Sequence, residues 1–348
     1  MKSHTTSKKL IIGILVLVLA PVFAQAQQTR QRLLLDFGWQ FTKGDPPRSF
    51  GRRGGRGAAE SVNWQTIHLP HDFSIEGPWA ANSPAGGSGG YAPLGVGIYR
   101  RTFRLPADWQ GKYIFVEFDG AFNKADVRIN NNLQKTNRYG YIGFDVDATP
   151  WMLTGGKLDM NREHRIDVRV DNTTPASRWY TGSGIYDHVW LRAVDAVHVP
   201  HLGTYITTPE ATDEYAHVRI ETTLRNLSDE ARAVELTTHL IDPSGAPAGK
   251  AATTTVAIDA RAETKVVQTI LVLKPRLWDL ETPNLYRAVS HIGTQSGAGD
   301  AKADYETTFG IRTIKWRPRT PAKGCQRHEE REDGDYRQLR PQRAARPA

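Results

Sequence analysis

Alternation of apolar and polar residues dominates residues 31–196. In one segment Ile166, Val168 and Val170 alternate with arginines and aspartates, and in another Val116 and Phe118 alternate with acidic residues. A period of two is typical of a half-buried strand. No stretch of twelve residues carries a convincing apolar stripe of helical period, and many short strands without helices indicate an antiparallel sandwich. The pattern therefore predicts an all-β first domain.

A tight turn is predicted at Asn130-Asn131-Asn132, directly after the alternating segment 126–129. Asparagine tolerates a positive φ at low cost, and consecutive asparagines can therefore close a short hairpin. We expect paired strands on either side of this turn.

Residues 197–316 continue the all-β character with a different spacing of strands. Asp242-Pro243-Ser244-Gly245 has the composition of a turn between two of these strands. Seven short strands in about 115 residues are typical of an immunoglobulin-like β-sandwich. We place the boundary between a first domain, 27–196, and a second domain, 197–316, near residues 195–201, where Pro200 interrupts the extended run. The predicted strands are 204–208, 216–226, 233–242, 253–258, 264–273, 285–292 and 305–311.

The first 26 residues have the pattern of a signal peptide. Lysines at positions 2, 8 and 9 precede an unbroken apolar run over residues 10–20, and Ala24-Gln25-Ala26 supplies the small residues that a signal peptidase recognises. The alternative is a membrane anchor, but a bilayer needs roughly 20 apolar residues. We expect export to the periplasm or the extracellular space, cleavage before Gln27, and no membrane attachment afterwards.

The net charge of +8 does not indicate a nucleic-acid partner, because of where the charge lies. The three lysines of residues 1–26 contribute +3 and residues 317–348 contribute +4, which leaves +1 for residues 27–316. A nucleic-acid binder concentrates basic residues on a folded face. The single cysteine, Cys325, lies in the same basic tail, so apolar packing rather than a disulfide has to stabilise residues 27–316.

The character of the sequence changes abruptly at Arg317. Residues 317–348 are rich in arginine, glutamate, glutamine and proline and have almost no aliphatic side chains, so they cannot bury enough apolar surface to order themselves. A natural disordered tail and translation in a shifted reading frame both fit this composition. We favour the shifted frame, which reading the coding DNA in all frames beyond codon 316 would test.

Several motifs, in this order and over residues 31–316, resemble glycoside hydrolase family 2 and within it the β-galactosidase-like members. Each motif alone is weak, and the resemblance depends on their order and spacing. They are Leu35-Asp36-Phe37-Gly38-Trp39, Leu69-Pro70-His71-Asp72-Phe73, Gly95-Val96-Gly97-Ile98-Tyr99-Arg100, Phe118-Asp119-Gly120-Ala121, Ser177-Arg178-Trp179-Tyr180-Thr181-Gly182-Ser183-Gly184, Pro275-Arg276-Leu277-Trp278, Pro283-Asn284-Leu285-Tyr286 and Phe309-Gly310-Ile311-Arg312.

The resemblance implies a galactose-binding-like jelly-roll domain, an immunoglobulin-like domain and then a catalytic TIM barrel. It implies cleavage of β-glycosides with retention by two glutamates of the barrel, which have to lie about 5–5.5 Å apart. No residue of 27–316 corresponds to either glutamate, so we expect no catalytic residue here. The implied partners are a β-galactoside or related glycan and the catalytic barrel of the full-length enzyme. No cofactor is implied.

Two segments are predicted to contact a sugar, and the sequence signal for each of them is weak. Asp72 follows Pro70 in a loop, where its carboxylate can accept hydrogen bonds from sugar hydroxyls. Arg178 stands beside Trp179 and Tyr180, which combines a guanidinium donor with aromatic faces. The alternatives are that Asp72 caps a turn and that Trp179 belongs to the core.

Two further patterns do not support other chemistry. His68 and His71 are spaced as a metal-binding pair would be on a helix, but Pro70 indicates extended chain, and we predict no metal site. Gly182-Ser183-Gly184 lacks the first glycine of a nucleophile elbow, because Thr181 occupies that position. Asp187-His188 is accordingly interpreted as a turn.

The sequence therefore predicts the non-catalytic N-terminal part of a secreted β-galactosidase-type glycosidase, inactive by itself. Two alternatives stay open. One is a free-standing secreted carbohydrate-binding module, which would need a complete sugar cleft of its own. The other is a structural remnant of a frameshifted gene with no ligand.

Overall fold

The structure, a computed structural model, describes residues 31–44, 62–174, 178–294 and 303–314. The predicted signal peptide, the tail from 317 and the glycine-rich stretch 51–57 lie outside the described residues. In the described ranges the chain forms twenty β-strands and three 3-10 turns, Gly87–Gly89, Ala107–Trp109 and Thr149–Trp151, with no α-helix. This confirms the all-β prediction for those residues. None of their segments is a helix with the length and apolar character needed to cross a membrane.

The first twelve strands build one sandwich. One sheet has the order β1-β12-β5-β8 and the other β3-β2-β4-β11-β6-β7, while β9 and β10 form a small hairpin. The strands are β1 (Gln31–Leu34), β2 (Trp39–Lys43), β3 (Gln65–Ile67), β4 (Gly95–Phe103), β5 (Tyr113–Phe118), β6 (Lys124–Ile129), β7 (Asn132–Asn137), β8 (Phe144–Asp147), β9 (Leu153–Thr154), β10 (Lys157–Leu158), β11 (His164–Asn172) and β12 (Val189–Val194).

The alternation in the sequence places the predicted apolar residues in this core. Ile166, Val168 and Val170 of β11 are fully buried in the cluster that both sheets share. The predicted hairpin is also confirmed, because β6 and β7 pair across Asn130 and Asn131, which have φ values of 47° and 74°. Each sheet therefore contributes one apolar face to a common interior.

Eight further strands form the second sandwich. Strand β15 pairs with β18 on one side and with β13 and β14 on the other, and the second sheet has the order β17-β16-β19-β20. The strands are β13 (Val197–His198), β14 (Thr204–Ala211), β15 (Tyr215–Asn226), β16 (Arg232–Ile241), β17 (Pro247–Ile258), β18 (Glu263–Leu273), β19 (Tyr286–Thr294) and β20 (Ala303–Phe309). All seven strands predicted after residue 197 are present, and the short β13 was missed.

The turn between β16 and β17 forms as its composition predicts. The carboxylate of Asp242 accepts hydrogen bonds from the amides of Ser244, at 2.8 Å, and Ala246, at 3.0 Å. Gly245 has a φ of 90°, which a residue with a side chain rarely adopts. Local hydrogen bonds thus stabilise this turn independently of the core.

The alternation predicts that the outer face of the β1-β12-β5-β8 sheet is solvated, but the structure buries charged residues there. Glu117 and Arg192 are both fully buried, with 2.6 Å between Glu117 Oε1 and Arg192 Nε. Arg32 Nε lies 3.0 Å from the other oxygen of Glu117, and His201, from the segment that joins β13 to β14, lies 3.4 Å from the first. The chain entering the second sandwich covers these charges, so the expectation that β5 is half-buried is wrong at Glu117.

We predict that Glu117→Gln destabilises the protein by about 1–3 kcal/mol, because the buried guanidinium of Arg192 loses one of its two carboxylate partners and keeps only Asp145, at 2.9 Å. The measurement is urea unfolding of the full chain. Glu306→Gln is the matched control, since Glu306 pairs with Arg287 at 3.1 Å with both side chains about half exposed, and such pairs contribute about 0–1 kcal/mol. Equal effects of the two substitutions would contradict the prediction.

A second prediction concerns pH. The hydrogen bond from His188 Nδ1 to the buried carboxylate of Asp36, 2.6 Å long, raises the pKa of His188 above its ordinary value. A raised pKa in the folded state means that this pair stabilises the fold fully below about pH 6.5 and loses that contribution as pH rises through the folded pKa. We expect His188→Gln to flatten the decline of the urea midpoint above pH 6.5. His68→Gln is the control, because His68 faces the amide of Gly38 rather than a carboxylate; if His188→Gln leaves the pH profile unaltered, the explanation fails.

Candidate functional site

Two loops of the first sandwich lie side by side and form the base of the candidate site. The amide of His71 donates to the carbonyl of Ile185 at 2.8 Å, and the amide of Phe73 donates to the carbonyl of Ser183 at 2.9 Å. On the other side of the loop that contains Ser183, the backbones of Gly184 and Phe122 form two hydrogen bonds with each other, both 2.8 Å long. The segment 182–185 is therefore held between two neighbours, as a short strand would be.

The glycines of the Gly182-Ser183-Gly184 motif are required by this packing. Gly184 has a φ of 130°, and a Cβ there would lie 2.3 Å from the hydroxyl of Tyr99. Gly182 has a φ of 72°, and its Cβ would lie 3.0 Å from Asp72 Oδ2. Ser183 between them is fully buried. The motif thus has a structural explanation in the close approach of the two loops.

Asp72 connects the two loops through its carboxylate. Oδ1 accepts from the amide of Ser74 at 2.9 Å and from the amide of Ser183 at 2.8 Å, and Oδ2 accepts from the hydroxyl of Tyr180 at 2.5 Å. The bond to Ser74 is the turn-capping role that the sequence left open. Asp72 is therefore a structural crosslink, and only one oxygen faces the residues predicted to contact a ligand.

Tyr180 is fixed as a donor toward Asp72. Burial, together with the hydrogen bond and the negative charge of Asp72, raises the pKa of Tyr180 well above its ordinary value. Its hydroxyl therefore keeps its proton, while 39% of the residue stays exposed.

His71, the residue before Asp72, has partners on both ring nitrogens. Nδ1 is 2.8 Å from the hydroxyl of Tyr99, and Nε2 is 3.0 Å from Glu76 Oε1. Burial is the main cause that raises the pKa of Tyr99, so this hydroxyl is neutral. His68 instead accepts from the amide of Gly38 at 3.3 Å. The two histidines do not converge, and in the described ranges no group of three or more His, Cys, Asp or Glu residues could hold a metal ion.

Large aromatic side chains are exposed around Asp72 and Tyr180. The rings of Trp79 and Tyr180 lie 6.1 Å apart, and the indole nitrogen of Trp179 donates to the hydroxyl of Tyr141 at 3.1 Å. Trp179 is 60% exposed and Trp79 is 52% exposed, so the alternative that Trp179 belongs to the core is wrong. Trp79, Tyr141, Trp179 and Tyr180 are called the aromatic surface below.

Sequence reasoning missed Trp79 and Tyr141. Trp79 follows Gly77-Pro78, and Tyr141 lies in a glycine-containing loop between β7 and β8. An aromatic residue next to glycine or proline in a loop is a usable signal for exposure, because a loop seldom supplies the neighbours that would bury a ring. Arg178, the remaining predicted residue, is exposed next to Trp179.

Comparison with known proteins agrees with this architecture. The model of the glycosyl hydrolases family 2 matches residues 197–312. A β-galactosidase of Bacteroides ovatus, BoGH2A, is 35% identical over 286 residues, which are 82% of this chain and 32% of that protein. A putative β-glucuronidase of Formosa agariphila is 29% identical over 89% of this chain and 28% of its own length.

Solved structures give the same result. The crystal structure of a family 2 glycosyl hydrolase from Bacteroides cellulosilyticus has a TM-score of 0.72 and 31% identity, covering 82% of this chain and 36% of that one. The fold and these matches define β-sandwich domains of a glycoside hydrolase. The chain belongs to family 2 of the glycosyl hydrolases and spans about a third of the length of the curated relatives it matches.

We predict that Asp72→Ala destabilises the protein by about 1.5–3 kcal/mol, the range for hydrogen bonds to a charged group. The substitution leaves the amides of Ser74 and Ser183 without their acceptor and releases Tyr180. Urea unfolding measures the effect, with Asp213→Ala as the control because Asp213 is exposed and such substitutions stay within about 0.5 kcal/mol. An Asp72→Ala protein as stable as the control would show that this crosslink contributes little.

Proposed function

We propose that the two sandwiches are the sugar-contacting, non-catalytic part of a β-galactosidase-type glycosidase. The observation that carries this proposal is the aromatic surface, which is exposed and yet anchored through the hydrogen bond of Tyr180 to the half-buried Asp72. Exposed apolar area concentrated in one place marks an interaction site. Aromatic faces pack against the C–H faces of pyranose rings, and Asp72 Oδ2 and Arg178 supply an acceptor and a donor for hydroxyls at the edge.

The charge at this surface favours a neutral sugar. The acceptor next to the rings is the carboxylate of Asp72, and a sugar acid would bring a second negative charge close to it. Arg178 offsets part of this repulsion, but it lies in solvent, where screening weakens its charge. A relative is named a β-galactosidase and another a putative β-glucuronidase. Of these two substrate classes, we propose the β-galactoside.

We place the hydrolytic step on a catalytic barrel that would be the partner of these sandwiches. Retaining hydrolysis needs one carboxylic acid and one carboxylate about 5–5.5 Å apart across the scissile bond. The acidic groups near the aromatic surface are already engaged, Asp72 with two amides and Tyr180, and Glu76 with His71. Holding a sugar hydroxyl with such a group gives binding without stabilising the transition state.

Export is part of the proposal. Residues 1–26 have the three regions of a signal peptide, and the protein would act in the periplasm or outside the cell. N-terminal sequencing of protein recovered from those compartments tests this, with Gln27 as the expected first residue. An N-terminus at Met1 would contradict cleavage.

The predicted effect on binding uses the two exposed tryptophans. We expect Trp79→Ala and Trp179→Ala each to weaken binding of methyl β-galactoside about tenfold, the equivalent of about 1.4 kcal/mol, because each removes one stacking face. Trp151→Ala is the matched control, since Trp151 is also exposed but lies on the 149–151 turn. Saturation-transfer NMR with millimolar sugar detects binding at the weak affinity expected of one wall of a pocket.

The alternatives give different results in the same experiments. Tight binding to immobilised glycans would favour a free-standing carbohydrate-binding module, and no affinity for any glycan would favour a structural remnant. We expect no turnover of a nitrophenyl β-galactoside by the chain or by its Asp72→Ala variant. Turnover of about 1–10³ per second, as in a typical enzyme, would contradict the placement of catalysis on the barrel.

A further inference from the structure

A small cavity lies next to the aromatic surface. Its volume is about 20 Å³, and Trp179 and Tyr180 contribute to its walls. The other lining residues include Gly89, Asn172 and Ser183. A cavity needs about 10–15 Å³ to hold one water molecule, so this space fits a single oxygen-sized group.

The hydrogen bonds beside the cavity run in one direction. The carbonyl of Pro93 can only accept, so the single proton of Ser74 Oγ is donated to it over 2.6 Å. Ser183 Oγ, 2.6 Å from Ser74 Oγ, must then be the donor of that pair. Ser183 Oγ in turn accepts from Asn172 Nδ2 at 2.7 Å. Each proton of this series of hydrogen bonds therefore has an acceptor within the protein.

The amide of Asn172 has one orientation that fits this network. Its Nδ2 also donates to the carbonyl of Gly182 at 3.1 Å, so both amide protons are engaged. The flipped amide would set its oxygen against the Gly182 carbonyl, two acceptors facing each other. The oxygen Oδ1 is thus fixed away from Gly182, in a residue that is only 2% exposed.

Asn172 Oδ1 is buried and has no hydrogen-bond partner in the described structure. Buried polar atoms in native proteins are almost always paired with protein or with ordered water. Since no donor of the described residues bonds to Oδ1, the missing partner has to bring its own proton, and the cavity limits it to about the size of a hydroxyl.

We infer that the Asn172 cavity is a binding site for one O–H donor. The donor is either a water molecule or a hydroxyl of the sugar bound at the aromatic surface. The water source is independent of the proposed function, whereas the sugar source rests on it. In both cases Asn172 Oδ1 is the acceptor that selects the group, and Asn172 would be a binding residue that the sequence motifs did not single out.

Crystals of the wild-type full chain, without sugar and soaked with methyl β-galactoside, test the inference. We expect a density peak within about 3.2 Å of Asn172 Oδ1, from a water in sugar-free crystals and from the same water or a sugar hydroxyl in soaked ones. A cavity empty in both crystals would overturn the inference. Soaked crystals with water on Asn172 and no sugar at Trp79 and Trp179 would support it and count against the proposed function alone.

The variant Asn172→Leu separates the two sources in solution. If a sugar hydroxyl fills the site, we expect this substitution to weaken binding of methyl β-galactoside about tenfold. If water fills it, affinity stays within twofold of that of Thr173→Val, which is the control because Thr173 is exposed. Should Asn172→Leu fail to fold, the wild-type crystals still decide whether the site is filled.

Discussion

The carboxylate of Asp72 is the interaction on which the candidate site depends. It joins two loops that lie 111 residues apart in the sequence, through the amides of Ser74 and Ser183 and the hydroxyl of Tyr180. An ionised acceptor makes such bonds short and about twice as strong as neutral ones. Tyr180 is held in turn beside Trp79, with 6.1 Å between the ring centres, so the positions of these two rings depend on one half-buried carboxylate.

A second set of charges connects the first sandwich with the chain that enters the second. The buried apolar clusters are separate, one within residues 35–193 and the others within residues 197–311. On the outer face of the first sandwich Glu117 and Arg192 form a buried ion pair, and His201 of the entering chain lies 3.4 Å from Glu117. Tyr113 of the same strand as Glu117 donates to the carbonyl of Leu227 at 3.1 Å. Paired charges need defined geometry to offset their desolvation. These contacts join the chain that enters the second sandwich to strand β5 of the first.

In the proposed function, sugar binding and hydrolysis are carried out by different parts of the enzyme. The surface offers ring faces, one carboxylate oxygen and one exposed guanidinium, and the cavity behind it offers a lone acceptor on Asn172. These groups can orient a sugar through its C–H faces and hydroxyls. None of them is a free acid with a second carboxylate opposite it, which is why we place hydrolysis on the barrel.

The sequence by itself determined the strands, the Asn130-Asn131 hairpin and the Asp242 turn, because alternation and turn chemistry act over a few residues. Its ordered motifs also determined the family. Tertiary structure decided what depends on distant neighbours. Glu117 alternates like a solvated residue and is buried under His201, Trp179 could have been core and is exposed, and Asn172 ends a strand as an ordinary polar residue. Burial and unsatisfied hydrogen bonds are properties of the space between segments, and no local pattern records them.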